Sequence, residues 1–244
     1  LPLLAFYTVY RALVRAKVAA IRAGQENPAD RLAELANCDQ YLDCAARATR
    51  PRNPGLLLMH GLAGSGKSRL AQELLERLGA LRIRSDVERK RLGGLPALAR
   101  SDSAVGDGIY DAAATTATYD RLVELAGQIL AAGYPVLVDA ANLKVWQRTA
   151  FRDLAAARGV PFVILDCAAP EAVLRSRLAT RQAAGRDASE ADEAVLAYQM
   201  RTYDAITPDE EACTFRIDTS APFPDALPAA LQDVPAACRP VPAR

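Results

Sequence analysis

The stretch Gly61-Leu62-Ala63-Gly64-Ser65-Gly66-Lys67-Ser68 decides the fold of this 244-residue chain. It follows the apolar run LLLMH at residues 56–60 and opens the helical pattern KSRLAQELLERL at residues 67–78. A strand, a loop with the spacing GxxxxGK[ST] and a helix in direct succession are typical of a P-loop, whose backbone N–H groups turn inward around phosphates. We therefore expect a nucleoside triphosphate to bind at this loop.

Each part of the loop has a predicted task. Lys67 reaches the β- and γ-phosphates and the Ser68 hydroxyl ligates magnesium, so the expected cofactors are ATP and Mg²⁺. The glycines let the backbone approach the phosphates closely. The predicted nucleotide-binding residues are Gly61, Leu62, Ala63, Gly64, Ser65, Gly66, Lys67, Ser68 and Arg69.

Short apolar runs alternate with longer helical patterns after Pro54. The predicted strands are 56–60, 81–84, 135–139, 161–166 and 214–218, and the predicted helices are 67–78, 110–132, 143–158, 170–181 and 189–203. This alternation predicts an α/β domain of three layers, with helices on both faces of a parallel sheet.

Two further helical patterns, at residues 3–21 and 29–48, precede the P-loop region. The first is amphipathic, and we expect it to pack against a neighbouring domain; a helix lying on a membrane surface is the alternative. The predicted organisation is a helical extension at 1–53, a P-loop domain at 54–220 and a tail at 221–244, whose six prolines favour a loosely held segment.

Composition narrows the function classes. Thirty Lys and Arg residues nearly balance 29 Asp and Glu residues, so no global charge gathers nucleic acid. The apolar runs fall short of the roughly 20 residues of a membrane span, which predicts no membrane insertion. The five cysteines lack the paired spacing of zinc or redox sites, so we expect free thiols in the reducing cytoplasm.

Two aspartates end predicted strands, at the sheet edge where open α/β sheets bind ligands. Asp86 follows the second strand, and we expect it to orient an acceptor hydroxyl and take its proton. Asp139 ends the third strand, and we expect it to hold magnesium together with Ser68. The structural alternatives are a helix N-cap for Asp86 and an end-of-strand hydrogen bond for Asp139.

Four arginines are further candidates. Arg177 and Arg181 are four residues apart, so they share one helix face. We expect them to belong to a lid over the site and to neutralise the charge that develops on the transferring phosphoryl group. A solvated basic face is the alternative. Arg89 and Arg148 each follow a strand-end aspartate, and we expect them to grip an anionic substrate, with surface salt bridges as the competing interpretation.

A family resemblance rests on the segments GLAGSGKS, RSDVERKRL, VLVDAAN, LDCAAPEAVLRSRLATR and SEADEAVLAYQ. Together they resemble the P-loop kinases called zeta-toxin-like or predicted-kinase domains, whose relatives include polynucleotide 5′-hydroxyl kinases, gluconate kinases and chloramphenicol phosphotransferases. The resemblance covers about residues 55–220. It implies the strand order 2-3-1-4-5, Asp86 as acceptor base, and Arg177 and Arg181 as lid arginines. The lid has no histidine and in this departs from the gluconate-kinase pattern.

A weaker resemblance concerns the opening FYTVYRALVRAKVAAIRAG, which is similar to a late helical segment of aminoglycoside-phosphotransferase-like proteins. It implies an upstream domain of that kind as a partner of the P-loop domain.

The predicted activity is transfer of the γ-phosphoryl group of ATP to a hydroxyl of a small molecule. Two alternatives remain open at this point. A polynucleotide 5′-hydroxyl kinase requires a basic groove leading to Asp86, for which six residues qualify: Arg82, Arg84, Arg89, Lys90, Arg91 and Arg100. An ATP-operated switch requires a macromolecular partner and no small acceptor.

Overall fold

The structure is a computed structural model that describes residues 3–49, 53–99, 101, 107–184 and 189–220. The chain divides into two compact units, Leu1–Arg52 and Asn53–Arg244. The proline-rich tail predicted at 221–244 lies outside the described residues. Among those that are described, no helix combines the length and the apolar character that a membrane span requires.

The first unit consists of helix α1, Leu4–Ala23, and helix α2, Pro28–Thr49. The buried residues of α1 are Ala12, Ala16, Ala19 and Ala23. Their spacing of three and four residues places them on one helix face. The buried stripe of α1 is therefore made of alanines.

The second unit is built on a five-stranded parallel sheet of order β2-β3-β1-β4-β5, which confirms the predicted fold class and strand order. The strands are β1 Leu56–His60, β2 Leu81–Arg84, β3 Val136–Asp139, β4 Phe162–Ala168 and β5 Thr214–Asp218. All five bear helices or loops at their carboxyl ends. Consequently, the P-loop after β1 and the residues after β2 and β3 meet at one edge.

Helices cover both faces of this sheet. They are α3 Lys67–Leu78, α4 Ser85–Leu92, α5 Ala112–Ala131, α6 Val145–Arg158, α7 Glu171–Ala184, α8 Glu193–Thr202 and α9 Pro208–Glu211. Alternate residues of β1 point to opposite faces, as in any strand. Leu56 and Leu58 belong to the core cluster that includes residues of α5 and α6, while Leu57 and Met59 pack with residues of α3.

Helices α6 and α8 begin later than the sequence pattern predicted. Helix α8 begins after Asp192, whose side chain accepts the Val195 N–H at 2.9 Å, rather than at Ser189. Helix α6 begins after Lys144, two residues later than predicted, so Asn142 is not part of its first turn. Asn142 instead has φ 52°, and its side-chain amide donates to Met59 O at 2.6 Å.

Candidate active site

The P-loop backbone depends on glycine at three positions. Gly61, Gly64 and Gly66 have φ of 137°, 79° and 84°, a region that side chains disfavour. Space is also short: a Cβ atom at Gly61 would lie 2.4 Å from Cys167 O, and one at Gly64 would lie 2.6 Å from Leu174 O. Glycines at these positions therefore let the loop curl tightly against the ends of β4 and α7.

Lys67 turns into this loop. Its ammonium group donates to Gly61 O at 2.6 Å, to Leu62 O at 2.7 Å and to Ser65 Oγ at 3.3 Å. Burial lowers the Lys67 pKa, and the charge of Arg181 lowers it further, whereas Cys167, Asp139 and Asp86 act to raise it. Lys67 thus lies within electrostatic range of both strand-end aspartates.

The predicted magnesium pair is in contact. The Ser68 hydroxyl donates to the Asp139 carboxylate at 3.0 and 3.2 Å, and Asp139 is only 5% exposed. Arg82 Nε donates to Asp139 Oδ2 at 3.1 Å, and Arg84 Nε lies 3.5 Å from the same oxygen. Both arginines and the Ser68 hydroxyl therefore meet at Asp139 Oδ2, and the serine also reaches Oδ1.

Asp86 lies in the first turn of α4, where Arg84 occupies the N-cap position. The side chain is therefore not the helix cap that was its structural alternative. Burial raises the Asp86 pKa above its ordinary value, as does the Asp139 charge to a smaller extent; Arg84, Arg89 and a hydrogen bond from the Ser189 side chain oppose the shift. Such a balance is typical of a carboxylate that exchanges a proton.

Arg89, a predicted substrate residue, lies near Asp86 but is only 8% exposed. It donates to Ile109 O at 2.8 Å and to Thr115 Oγ1 at 3.1 Å, and it stacks 5.1 Å from the ring centre of Tyr110. Burial raises the pKa of Tyr110 to about 12, and the Asp86 charge adds to this shift. Arg89 is therefore held beside Asp86 by contacts within the protein, and its contact with an acceptor stays a prediction.

The two α7 arginines approach the P-loop. Arg177 Nη1 donates to Gly64 O at 3.4 Å and to Thr219 Oγ1 at 3.2 Å, which joins the loop to the end of β5. Arg181 donates to Ala191 O and acts electrostatically on Lys67. Residues 185–188, which follow α7 in sequence, lie outside the described part of the chain. A contact of either arginine with phosphate stays a prediction, as does one of Arg69, which is largely exposed beside Glu73.

The prediction for Arg148 is wrong. Its side chain is completely buried and forms a bidentate pair with Glu210, at 2.8 and 2.9 Å. It also donates to the backbone oxygens of Asn142, Asp204 and Ala205. Five donors committed to the protein interior leave Arg148 no role in gripping a substrate. Its position after a strand-end aspartate misled the sequence-based interpretation, because α6 turns this residue toward α9.

A network that the sequence did not reveal joins α4 to the segment before α8. Lys90 is 1% exposed and pairs with Glu190 at 2.8 Å. Glu190 also accepts the Ser101 N–H at 3.0 Å and the Ser101 hydroxyl at 2.6 Å. These residues are up to 100 positions apart, so no local pattern indicates their contact. The network fixes Ser189, the neighbour of Glu190, next to Asp86.

A cavity of about 310 Å³ adjoins the P-loop on the face of β1 that carries His60. His60 Nδ1 lies 2.7 Å from Asp166 Oδ1, and the strand register sets Arg216 beside Asp166. The residues that line this cavity do not include Asp86 or Asp139. We place the candidate active site at the sheet edge that carries Lys67, Asp139 and Asp86, and regard the buried His60, which contacts Asp166, as a packing residue.

The residues present fit a triphosphate with magnesium. Helix α3 begins at the P-loop, and its N-cap Gly66 offers no side-chain hydrogen bond, so the helix start is suited to an anion. Lys67 provides a cation that is bound to backbone oxygens, and Ser68 with Asp139 provides two oxygen donors in contact, the ligand type magnesium prefers.

Known proteins with a similar sequence were found. The sequence profile of the AAA domain family matches residues 56–206. Uncharacterized proteins of Mycobacterium tuberculosis and Mycobacterium bovis are 31% identical over 217 residues, which is 89% of this chain and 41% of each relative. The chain thus spans about two fifths of the length of these relatives.

Solved structures share the fold at low sequence identity. A crystal structure from Chloroflexus aurantiacus superposes with a TM-score of 0.57 at 19% identity, covering 74% of this chain and 96% of that one. Kti12 of Chaetomium thermophilum, in complex with ADP-AlF3, gives a TM-score of 0.51 at 17% identity, covering 68% and 89%. A sugar kinase from a Janibacter species gives 0.50 at 19% identity, covering 69% and 87%.

Proposed function

We propose, from the premise that this chain belongs to the AAA domain family, that it is an ATP-dependent kinase acting on a hydroxyl of a small molecule. One observation carries the proposal: Asp86 just after β2, Asp139 at the end of β3 and Lys67 in the P-loop after β1 follow three adjacent parallel strands, at the same edge of the sheet. A base opposite a phosphate-binding lysine is the arrangement that phosphoryl transfer to an alcohol requires.

The acceptor oxygen attacks the γ-phosphorus, its proton passes to Asp86, and the bond between the γ-phosphorus and the bridging oxygen breaks to release ADP. Lys67 stabilises the charge on the transferring group, and Arg177 and Arg181 assist at the lid side. Magnesium, when held by Ser68 and Asp139, supplies charge neutralisation for the phosphates.

The charges near Asp86 support a small acceptor over a polynucleotide end. Of the six residues that were candidates for a basic groove, Arg82 and Arg84 face Asp139, Lys90 is buried with Glu190, and Arg91 pairs with Glu88 at 2.6 Å. Arg89 is buried, and Arg100 lies outside the described residues. Cations already paired within the protein contribute little to phosphate-backbone binding.

The experiment is a phosphoryl-transfer screen with γ-labelled ATP and Mg²⁺. The acceptors are sugars, sugar acids, nucleosides, hydroxylated antibiotics and a 5′-hydroxyl oligonucleotide. We expect label on one small-molecule class and none with Asp86→Asn. Label on the oligonucleotide alone supports the polynucleotide-kinase alternative. ATP turnover stimulated only by a protein partner supports the switch and ends the proposal.

An upstream domain remains part of the proposal. The greater length of the mycobacterial relatives supports further sequence beyond the matched region. The aminoglycoside-phosphotransferase-like character of such a domain rests on the resemblance of α1 alone.

A further inference from the structure

Gln199, on α8, contacts the P-loop from outside the motif. Its side-chain oxygen Oε1 accepts the backbone N–H of Ala63 at 2.7 Å, across 136 positions of sequence. An N–H group is always a donor, so this bond fixes which end of the Gln199 amide faces the loop. The contact therefore orients both partners.

The bonded N–H belongs to the peptide unit between Leu62 and Ala63. A trans peptide is planar, and its N–H and C=O point in opposite directions. The carbonyl of this unit, Leu62 O, accepts Lys67 Nζ at 2.7 Å and the Ser65 N–H at 3.1 Å. Holding the N–H toward α8 thus holds the carbonyl toward Lys67.

Helix α8 is well fixed for this task. Leu196, three residues before Gln199 and on the same helix face, is completely buried in a cluster with Ala63, Leu174 and Leu178. After the helix, Asp204 accepts the Val145 N–H at 3.0 Å and Lys144 Nζ at 3.1 Å. Because these contacts fix the backbone of α8, the hydrogen bond of Gln199 costs only the rotamer entropy of its own side chain.

We propose that Gln199 is a positioning residue of the nucleotide site: it sets the orientation of the Leu62–Ala63 peptide and, through the Leu62 carbonyl, the place of Lys67 before ATP binds. This inference rests on the proposed function, because it assigns a role in ATP binding. The role is indirect, since Gln199 acts through the peptide unit and through Lys67.

The test measures ATP affinity by titration calorimetry with Mg²⁺, in the full chain. Gln199→Leu removes the hydrogen-bond acceptor and replaces the amide with an apolar side chain of similar size beside Ala63. We expect ATP to bind about tenfold more weakly, the usual scale for a lost hydrogen bond that leaves an N–H unpaired. The matched control Arg201→Gln changes an exposed residue of the same helix and binds ATP like the wild type.

Gln199→Glu separates the hydrogen bond from packing. It retains an oxygen acceptor but adds a negative charge near the triphosphate, and salt screens that charge. We expect its affinity, relative to wild type, to recover as ionic strength rises, whereas the deficit of Gln199→Leu persists. A packing role predicts the opposite ranking, because leucine packs at least as well as glutamine.

Two results overturn the inference: Gln199→Leu binding ATP within twofold of wild type, or Gln199→Glu remaining as weak as Gln199→Leu at every salt concentration. The unfolding temperature of each variant is also measured without ATP. If Gln199→Leu is misfolded, the test uses the salt dependence of Gln199→Glu relative to wild type. Absence of ATP binding by the wild type is a different outcome, which ends the proposed function itself.

Discussion

At the scale of single residues, Asp86 carries the most specific prediction. Asp86→Asn removes the proposed base but keeps the size of the side chain. We expect phosphoryl transfer to fall by about 10²- to 10⁴-fold, the usual contribution of a general base, with ATP affinity nearly unchanged. Initial rates with γ-labelled ATP and calorimetric titration provide the two measurements. Asp153→Asn, at an exposed position of α6, is the control.

The same substitution also predicts a change in stability with pH. Burial raises the folded-state pKa of Asp86 above the unfolded value of 3.8, so the folded protein binds the proton more tightly. Stability of the wild type therefore falls as the pH rises from about 3.8 through the raised pKa. We expect Asp86→Asn to unfold at a higher temperature than wild type at pH 7, and this advantage to disappear toward pH 4. A difference of the same size at all pH values contradicts the assignment.

At the scale of elements, the packing of the P-loop against α7 predicts different costs for two glycines. Gly64 and Gly79 both have positive φ, of 79° and 59°, but a Cβ at Gly64 would meet Leu174 O at 2.6 Å whereas nothing lies within 4 Å at Gly79. Gly79→Ala therefore costs only backbone strain, about 1 kcal/mol, and leaves ATP binding intact. We expect Gly64→Ala to lower the free energy of unfolding by more than this and to abolish ATP binding. Urea denaturation measures the first effect and calorimetry the second. Equal stability of the two variants argues against the tight contact.

The ion pair between Arg148 on α6 and Glu210 on α9 predicts an effect on stability but none on catalysis. Arg148→Ala leaves Glu210 buried and unpaired, which costs about 3–5 kcal/mol of unfolding free energy. The paired change Arg148→Met with Glu210→Leu removes both charges and costs less than the single change. Urea denaturation measures both values. A stable Arg148→Ala protein with weakened acceptor binding would instead restore the substrate role that the structure excludes.

Sequence reasoning placed Asp139 correctly at the end of β3, beside Ser68, but erred on Arg148; the role of Asp139 in magnesium binding stays a prediction. Both residues follow from the end of β3, and both carry charge. Asp139 ends the strand itself, so the parallel sheet alone directs it to the crevice. Arg148 lies one turn into α6, and its direction depends on how that helix rotates against α9, which no local pattern specifies.

At the scale of the whole molecule, the two compact units predict that the P-loop unit folds alone. The contacts described for the site all lie within Asn53–Arg244. We expect a chain beginning at Asn53 to unfold cooperatively and to bind ATP within about threefold of the full chain, since this unit contains its own core and all the contacts described for the site. Loss of ATP binding in this shorter protein contradicts that independence. Circular dichroism and calorimetry provide the measurements.

The sequence by itself predicted the P-loop, the alternating strands and helices, Asp139 at the end of β3 and Asp86 shortly after β2. These features are encoded locally, in a glycine spacing that permits only one kind of turn and in apolar periods of two and 3.6 residues. The structure alone decided which charged residues face the crevice, placed Lys90 with Glu190, and brought Gln199 to the amide of Ala63. Such contacts join residues about 100 or more positions apart, and they depend on how helices rotate and pack on the sheet, a geometry that is set by the whole core rather than by any one segment.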